Sequence, residues 1–227
     1  MKCTLIHTQQ ETSDVRSFLL EPERPIVWEA GQYMHYILPH EDQDDRKADR
    51  YFTISAAPFE KNVRITTRFS EKGSSFKKAL KALKIGDHIE AEGPEGDFTL
   101  RDPSEGFVCI AGGIGITPFR SILVEADHAQ KDIKGKLLYT NRNDEFVFRK
   151  ELDDIASRHA GFHITHYVDP NRIGEKEIRS AAPDIAKPTF YVSGPEPMAV
   201  FYEKMLLGMG VPTEHIKKDD FPGYEWE

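Results

Sequence analysis

Cys109-Ile110-Ala111-Gly112-Gly113-Ile114-Gly115-Ile116-Thr117-Pro118 carries an apolar strand pattern into a glycine cluster, and Phe119-Arg120-Ser121-Ile122-Leu123 then opens a helical pattern. Glycines between a buried strand and a helix let the backbone approach a ligand closely. The unpaired N–H groups of the new helix face the same spot and favour the phosphates of a dinucleotide. The cluster is not G-x-G-x-x-G, and glycine serves many strand–helix turns for steric reasons alone. Its surroundings decide between the two readings. Residues 100–106 read as a linker, and after them the chain alternates strand, turn and helix. Residues 107–111, 136–140 and 189–192 are the strands; helices follow from Pro118 and over 150–157 and 197–207. That alternation predicts a parallel, doubly wound sheet with helices on both faces and ligands at the carboxyl ends of the strands. The glycine cluster, Asn141-Arg142 and Ser193-Gly194-Pro195 each follow a strand at that end.

The first hundred residues have a different rhythm. Residues 15–20, 32–38 and 63–69 are short, β-rich and separated by Pro, Gly or charged turns, which predicts a small antiparallel barrel. One helix interrupts them near residues 75–83, with Phe76, Ala79, Leu80 and Leu83 at helical spacing. An acidic loop over 41–49 is expected to be mobile. The division predicted is a barrel over 1–102 and an α/β unit over 103–227.

Composition narrows the function. Of 227 residues 39% are apolar and 30% charged, as in globular proteins, and no apolar run is long enough to cross a bilayer. No signal peptide opens the chain, so a cytoplasmic monomer without membrane contact is expected. A formal charge of -8 disfavours nucleic acid as a partner. Against it, Lys72, Lys77, Lys78, Lys81 and Lys84 crowd one segment and would steer an acidic protein on approach. Cys3 and Cys109 are the only cysteines, too few for an iron–sulfur domain, and no metal site is expected; His163 and His166 fall on opposite faces of a strand.

Arg50-Tyr51-Phe52-Thr53-Ile54-Ser55 places a cation, an aromatic ring and a hydroxyl on one alternating strand, Arg50 and Phe52 on one face, Tyr51 and Thr53 on the other. Arg-x-Phe-Thr there, Gly73-Ser74-Ser75 after it and Gly-Gly-Ile-Gly-Ile-Thr-Pro further on together resemble the ferredoxin–NADP+ reductase family. Gly93-Pro94-Glu95-Gly96 is similar to that family's Gly-Pro-x-Gly turn, Ser193-Gly194-Pro195 to its Cys-Gly-Pro turn, and Phe221-Pro222-Gly223-Tyr224 to its aromatic C-terminus.

The resemblance implies an FAD-dependent oxidoreductase that takes a hydride from NAD(P)H and passes electrons to an external acceptor such as ferredoxin or flavodoxin. Close alternatives are a reductase of free flavin, quinone or ferric chelates, and the reductase component of an oxygenase; a non-catalytic nucleotide-binding subunit is the alternative of another class. Arg50, Gly73, Ser74 and Ser75 are implied to hold the FAD diphosphate, with Ile65, Thr66 and Thr67 lining the same site. Phe52 would pack against the isoalloxazine, Tyr51 being the other candidate ring, and Thr53 would hydrogen-bond near N5. Gly112, Gly113, Gly115, Asn141, Arg142, Ser193, Gly194 and Pro195 are implied to bind NAD(P)H, and Thr117 to lie beside both ring systems. Ser193 replaces the family's cysteine near the nicotinamide. Phe221, or after it Tyr224, would cover the flavin, Trp226 being the remaining terminal aromatic, and Asp220 could balance charge there. Thr53, Thr117, Ser193 and Phe221 are thus the residues expected at the reacting atoms. Arg142 suits a 2′-phosphate, whereas Asp144 and Glu145 would repel one, so the choice of coenzyme stays open.

Overall fold

A computed structural model of the chain describes residues 1–45 and 47–221. The first sheet is built from β1 (Lys2–Gln10), β2 (Val15–Pro22), β3 (Tyr33–Ile37), β4 (Asp49–Thr53), β5 (Val63–Arg68) and β6 (His88–Glu95). They pair antiparallel in the order β4-β3-β6-β1-β2-β5. Side-chain alternation sets the inside: Met34 and Tyr36 of β3 are wholly buried while Tyr33, His35 and Ile37 between them are not. Phe18, Leu20, Met34, Tyr36 and Ile65 meet in one core. The two edge strands touch just beyond β4, where the Ser55 N–H and hydroxyl both donate to the Arg64 carbonyl, each at 3.0 Å. That contact curls the sheet into the expected antiparallel barrel and pairs backbone groups that an open edge would expose.

Helix α1 (Ser75–Ala82) covers the barrel, burying Phe76 and Leu80 one turn apart. Its start is fixed by Ser74, whose Oγ accepts the Lys77 N–H at 3.3 Å.

The second sheet is parallel throughout, with β7 (Phe107–Gly112), β8 (Gly135–Asn141), β9 (Phe162–Val168), β10 (Thr189–Pro195) and β11 (Ile216–Phe221) in the order β11-β10-β7-β8-β9. Every residue of β7 is buried, as a central strand covered on both faces requires. Helices α2 (Thr117–His128) and α3 (Arg149–Arg158) contribute Phe119, Leu123, Leu152 and Ile155 to one core. Helices α4 (Glu175–Ala181) and α5 (Glu196–Met209) contribute Ile178, Met198, Tyr202 and Leu206 to the other. Connections leave β7 in opposite directions, so the crevice between the ends of β7 and β10 is the topological switch point.

The two sheets are joined at α2. The Arg120 guanidinium donates to the Ser55 carbonyl at 2.7 Å, to Glu60 at 2.8 Å and to Glu151 at 2.8 Å, and Ser121 donates to the Ala56 carbonyl at 2.6 Å. These bonds hold the barrel against the helix that begins at the glycine cluster. Among the described residues no helix is long and apolar enough to cross a membrane.

Candidate functional site

A cleft of about 1060 Å³ lies between the sheets and is lined by both. Ligand pockets commonly run to roughly 300–1,000 Å³, so this one has room for an extended dinucleotide.

On the barrel wall, alternation along β4 separates two pairs. Arg50 and Phe52 lean on α1: the guanidinium lies 5.7 Å from the Phe76 ring centre, and the Phe52 ring lies 5.8 Å from Phe76 and 6.0 Å from Tyr36. Tyr51 faces the other way, 63% exposed and stacked 4.5 Å over His35. Both His35 nitrogens meet carboxylates, Asp49 at 2.8 Å and Glu92 at 3.2 Å; burial opposes the imidazolium, but these bonds prevail and raise its pKa. Thr53 is buried at the wall.

Arg50 does not use the Asp49 or Glu92 carboxylate. Its Nη2 donates to Asp44 Oδ1 at 3.0 Å, and its Nη1 to the Lys47 and Asp49 carbonyls. Asp44 Oδ2 accepts the Ser75 N–H at 2.9 Å, while the Asp44 N–H donates to Ser75 Oγ at 3.0 Å. The acidic loop, expected to be mobile, is thus tied at Asp44 to the start of α1. A carboxylate here shows that this corner suits an anion.

On the opposite wall the glycines divide their work. Gly113 has a φ of +52°, and a Cβ there would come no closer than 3.7 Å to Arg68 and Asn141, so its backbone turns freely at the cleft. A Cβ on Gly115 would lie 2.1 Å from the Ser193 oxygen, and one on Gly112 2.1 Å from the Met198 sulfur. Those two positions let the turn press onto β10 and α5. Thr117 starts α2 and donates to the Ile114 carbonyl at 3.1 Å while lining the cleft. Tyr139 supports the turn from beneath through a 2.9 Å bond to the Gly113 carbonyl.

At the end of β8, Asn141 donates to Asn143 and to the Glu145 carbonyl and accepts from Arg68 Nη2 at 3.3 Å. Arg142 lines the cleft together with Asp169 and Arg172, which pair at 3.5 Å. Asp144 and Glu145 lie outside the lining, and Glu145 accepts a bond from Ser13.

Ser193 is wholly buried, and its Oγ donates to Asp219 Oδ2 at 3.5 Å. Burial, and then the neighbouring Asp220 charge, pushes the Asp219 carboxyl up to about 7. Pro195, Asp219, Asp220 and Phe221 all reach the cleft.

Of the residues expected at the site, Arg50, Tyr51, Phe52, Thr53, Thr66, Gly73, Ser74, Gly112, Gly113, Thr117, Asn141, Arg142, Pro195 and Phe221 line this one cleft. Ile65 and Thr67 point into the barrel, and Ser75, Gly115, Ser193 and Gly194 stand behind the lining. Thr66 reaches the cleft while sharing its hydroxyl with Ser17 and Ser55, each at 2.8 Å. Tyr224 and Trp226 lie outside the described residues. Tyr33, Arg68, Arg172 and Asp219 also line the cleft and were not singled out from sequence. Arg68 follows Arg64 and Thr66 at period two along β5, which would have found it; Asp219 sits in Lys-Lys-Asp-Asp, which reads as solvated.

Residues 2–100 match the family model of the oxidoreductase FAD-binding domain, and residues 109–204 that of the oxidoreductase NAD-binding domain. A flavohemoprotein of Pseudomonas putida is 27% identical over 96% of this chain and 58% of its own length. The reductase component of a phenol 2-monooxygenase from a Pseudomonas species is 28% identical over 81% of this chain and 55% of its own. This chain therefore spans little more than half the length of these curated relatives. The crystal structure of a variant ferredoxin–NADP+ reductase from Plasmodium falciparum shares the fold, with a TM-score of 0.81 over 97% of this chain and 95% of that one at 15% identity.

Proposed function

The chain belongs to the ferredoxin–NADP+ reductase-like flavoproteins, and we propose that it takes a hydride from NAD(P)H onto FAD and delivers the electrons to a separate acceptor. One observation carries this reading: the anion-holding corner of the barrel and the glycine turn at the switch point open into the same cleft. The proposed units are the FAD-binding barrel over 1–102 and the NAD(P)-binding unit over 103–227, acting as a monomer.

The residues present fit the cofactors. Arg50 and the α1 start, with Ser74 and Ser75, would hold the FAD diphosphate, since a guanidinium and helix N–H groups suit phosphate oxygens. Phe52 or Tyr51 would flank the flavin ring, and Thr53 would donate a hydrogen bond to it. Gly113 and the α2 start would take the coenzyme phosphates, with Arg142, Asp169 and Arg172 around its adenosine ribose. FAD, when bound, supplies the chemistry: it accepts two electrons as hydride and can release them singly. The chain supplies position. Thr117, backed by its bond to Ile114, would fix the coenzyme against the flavin, and Phe221 would keep water from the open face. Asp219 would hold or release a proton beside Ser193.

Lys72 and Lys77 line the cleft, and with Lys78, Lys81 and Lys84 of the same segment they would steer an acidic acceptor such as ferredoxin or flavodoxin. Similarity to the phenol 2-monooxygenase reductase component supports the alternative that the acceptor belongs to an oxygenase. The test is steady-state reduction of ferricyanide by the FAD-loaded protein with NADH or NADPH. Turnover with either supports the proposal; FAD retained without turnover would instead favour a nucleotide-binding subunit.

A further inference from the structure

We infer that Asp44 is an affinity-determining residue of the flavin site: its carboxylate occupies two donors that suit a flavin diphosphate, one on Arg50 and one at the start of α1, so the dinucleotide binds by displacing it. The inference rests on the flavin reading above.

Arg50 and the first turn of α1 are the groups that suit a diphosphate at this corner, and Asp44 engages both. One carboxylate oxygen takes Arg50 Nη2 at 3.0 Å and the other takes the Ser75 N–H at 2.9 Å. A third bond, from the Asp44 N–H to Ser75 Oγ at 3.0 Å, fixes the backbone of the loop to the same serine. The pattern of one anion bridging a guanidinium and a helix start is that of a bound phosphate. The Ser75 N–H has a single hydrogen to give, and the Lys77 N–H already goes to Ser74 Oγ. A carboxylate and a phosphate a few ångströms apart also repel. The two anions therefore exclude each other, and the apparent affinity for FAD is reduced by the fraction of molecules in which Asp44 has let go. The consequence is a flavin held exchangeably rather than locked in, as in a reductase that treats flavin as a substrate.

Two measurements test this on the purified chain. In the first, FAD is titrated into wild type and Asp44→Asn, following flavin fluorescence. The amide keeps the size of the side chain and removes its charge, so Kd for FAD is expected to fall about tenfold or more. In the second, amide hydrogen exchange is followed in the wild type with and without saturating FAD. The Asp44 amide is expected to exchange faster with FAD bound, because its bond to Ser75 Oγ is broken, while the Phe76 to Leu80 amides stay protected. Unchanged or weaker FAD binding by Asp44→Asn, or an Asp44 amide as protected with FAD as without, would overturn the inference and leave the flavin reading standing; Asp44 would then orient Arg50. If neither protein binds FAD, the flavin reading falls, and the inference falls with it.

Discussion

At the residue scale, the chemistry concentrates in a few side chains whose surroundings alter their ordinary behaviour. Arg50 lines the cleft and is the cation proposed to hold the FAD diphosphate, where a charge-assisted bond is worth roughly 1.5–3 kcal/mol against about 0.3–1 kcal/mol for a helix terminus. Arg50→Ala should therefore weaken FAD binding about tenfold or more, read as the Kd from fluorescence titration, and an unchanged Kd would remove Arg50 from the site. Asp219 is the second case. Its carboxyl is raised from 3.8 to about 7, so the folded state holds this proton more tightly than the unfolded chain. The stabilisation is complete below about pH 4 and is lost as pH rises through about 7. Wild type should thus lose thermal stability relative to Asp219→Asn across that window; melting temperatures that run parallel from pH 4 to 8 would contradict it. Arg50 was legible because a cation, a ring and a hydroxyl share one strand. Asp219 was not, because its place beside Ser193 of β10 at the cleft comes from strand pairing, which nothing in Lys217-Lys218-Asp219-Asp220 announces.

At the scale of elements, period decided what could be seen. The buried strands β7, β8 and β10 read as apolar runs before turns, and α1, α2, α3 and α5 showed helical spacing close to their observed bounds. Strands β1, β6 and β11 were not picked out, since each carries many polar residues, and charge on an edge strand such as β11 guards against unwanted pairing. The short α4 has only Ile178 buried and gave too little pattern. The glycine cluster was legible as a turn, but its division of labour was not: closeness to β10 is a fact of packing. Gly115→Ala should force the turn off Ser193, raise KM for the coenzyme and cost about 1–3 kcal/mol by denaturant unfolding. Gly208 in α5 has nothing within 4 Å of an added Cβ. Gly208→Ala should instead stabilise by about 0.5–1 kcal/mol. Equal effects at the two sites would refute the packing account.

At the scale of the whole molecule, the cleft exists because two sheets are held at a fixed angle, and Arg120 is the chief polar tie. Only 2% exposed, it reaches the barrel through Ser55 and Glu60 and α3 through Glu151. Burial disfavours the Glu60 carboxylate, but Arg120, helped by the Ala57 N–H and Arg64, reverses this and lowers its pKa, so removing the guanidinium takes away the main partner of a half-buried charge. Arg120→Met should cost about 3 kcal/mol, the lower end of the usual roughly 3–5 kcal/mol because Glu151 is partly exposed, and should split a single unfolding transition into two. One unshifted transition in calorimetry would show that apolar contacts alone hold the halves. The two-unit architecture was plain from the change of rhythm near residue 100, yet the tie between units was invisible, since Arg120 and Glu60 are 60 residues apart.

The most direct test of the central claim mixes the FAD-loaded protein anaerobically with NADH and, separately, NADPH, and follows flavin absorbance near ~450 nm by stopped flow, a direct view of the cofactor's redox state. Rapid bleaching with at least one coenzyme is predicted. Bound flavin that neither coenzyme bleaches would contradict hydride transfer across this cleft.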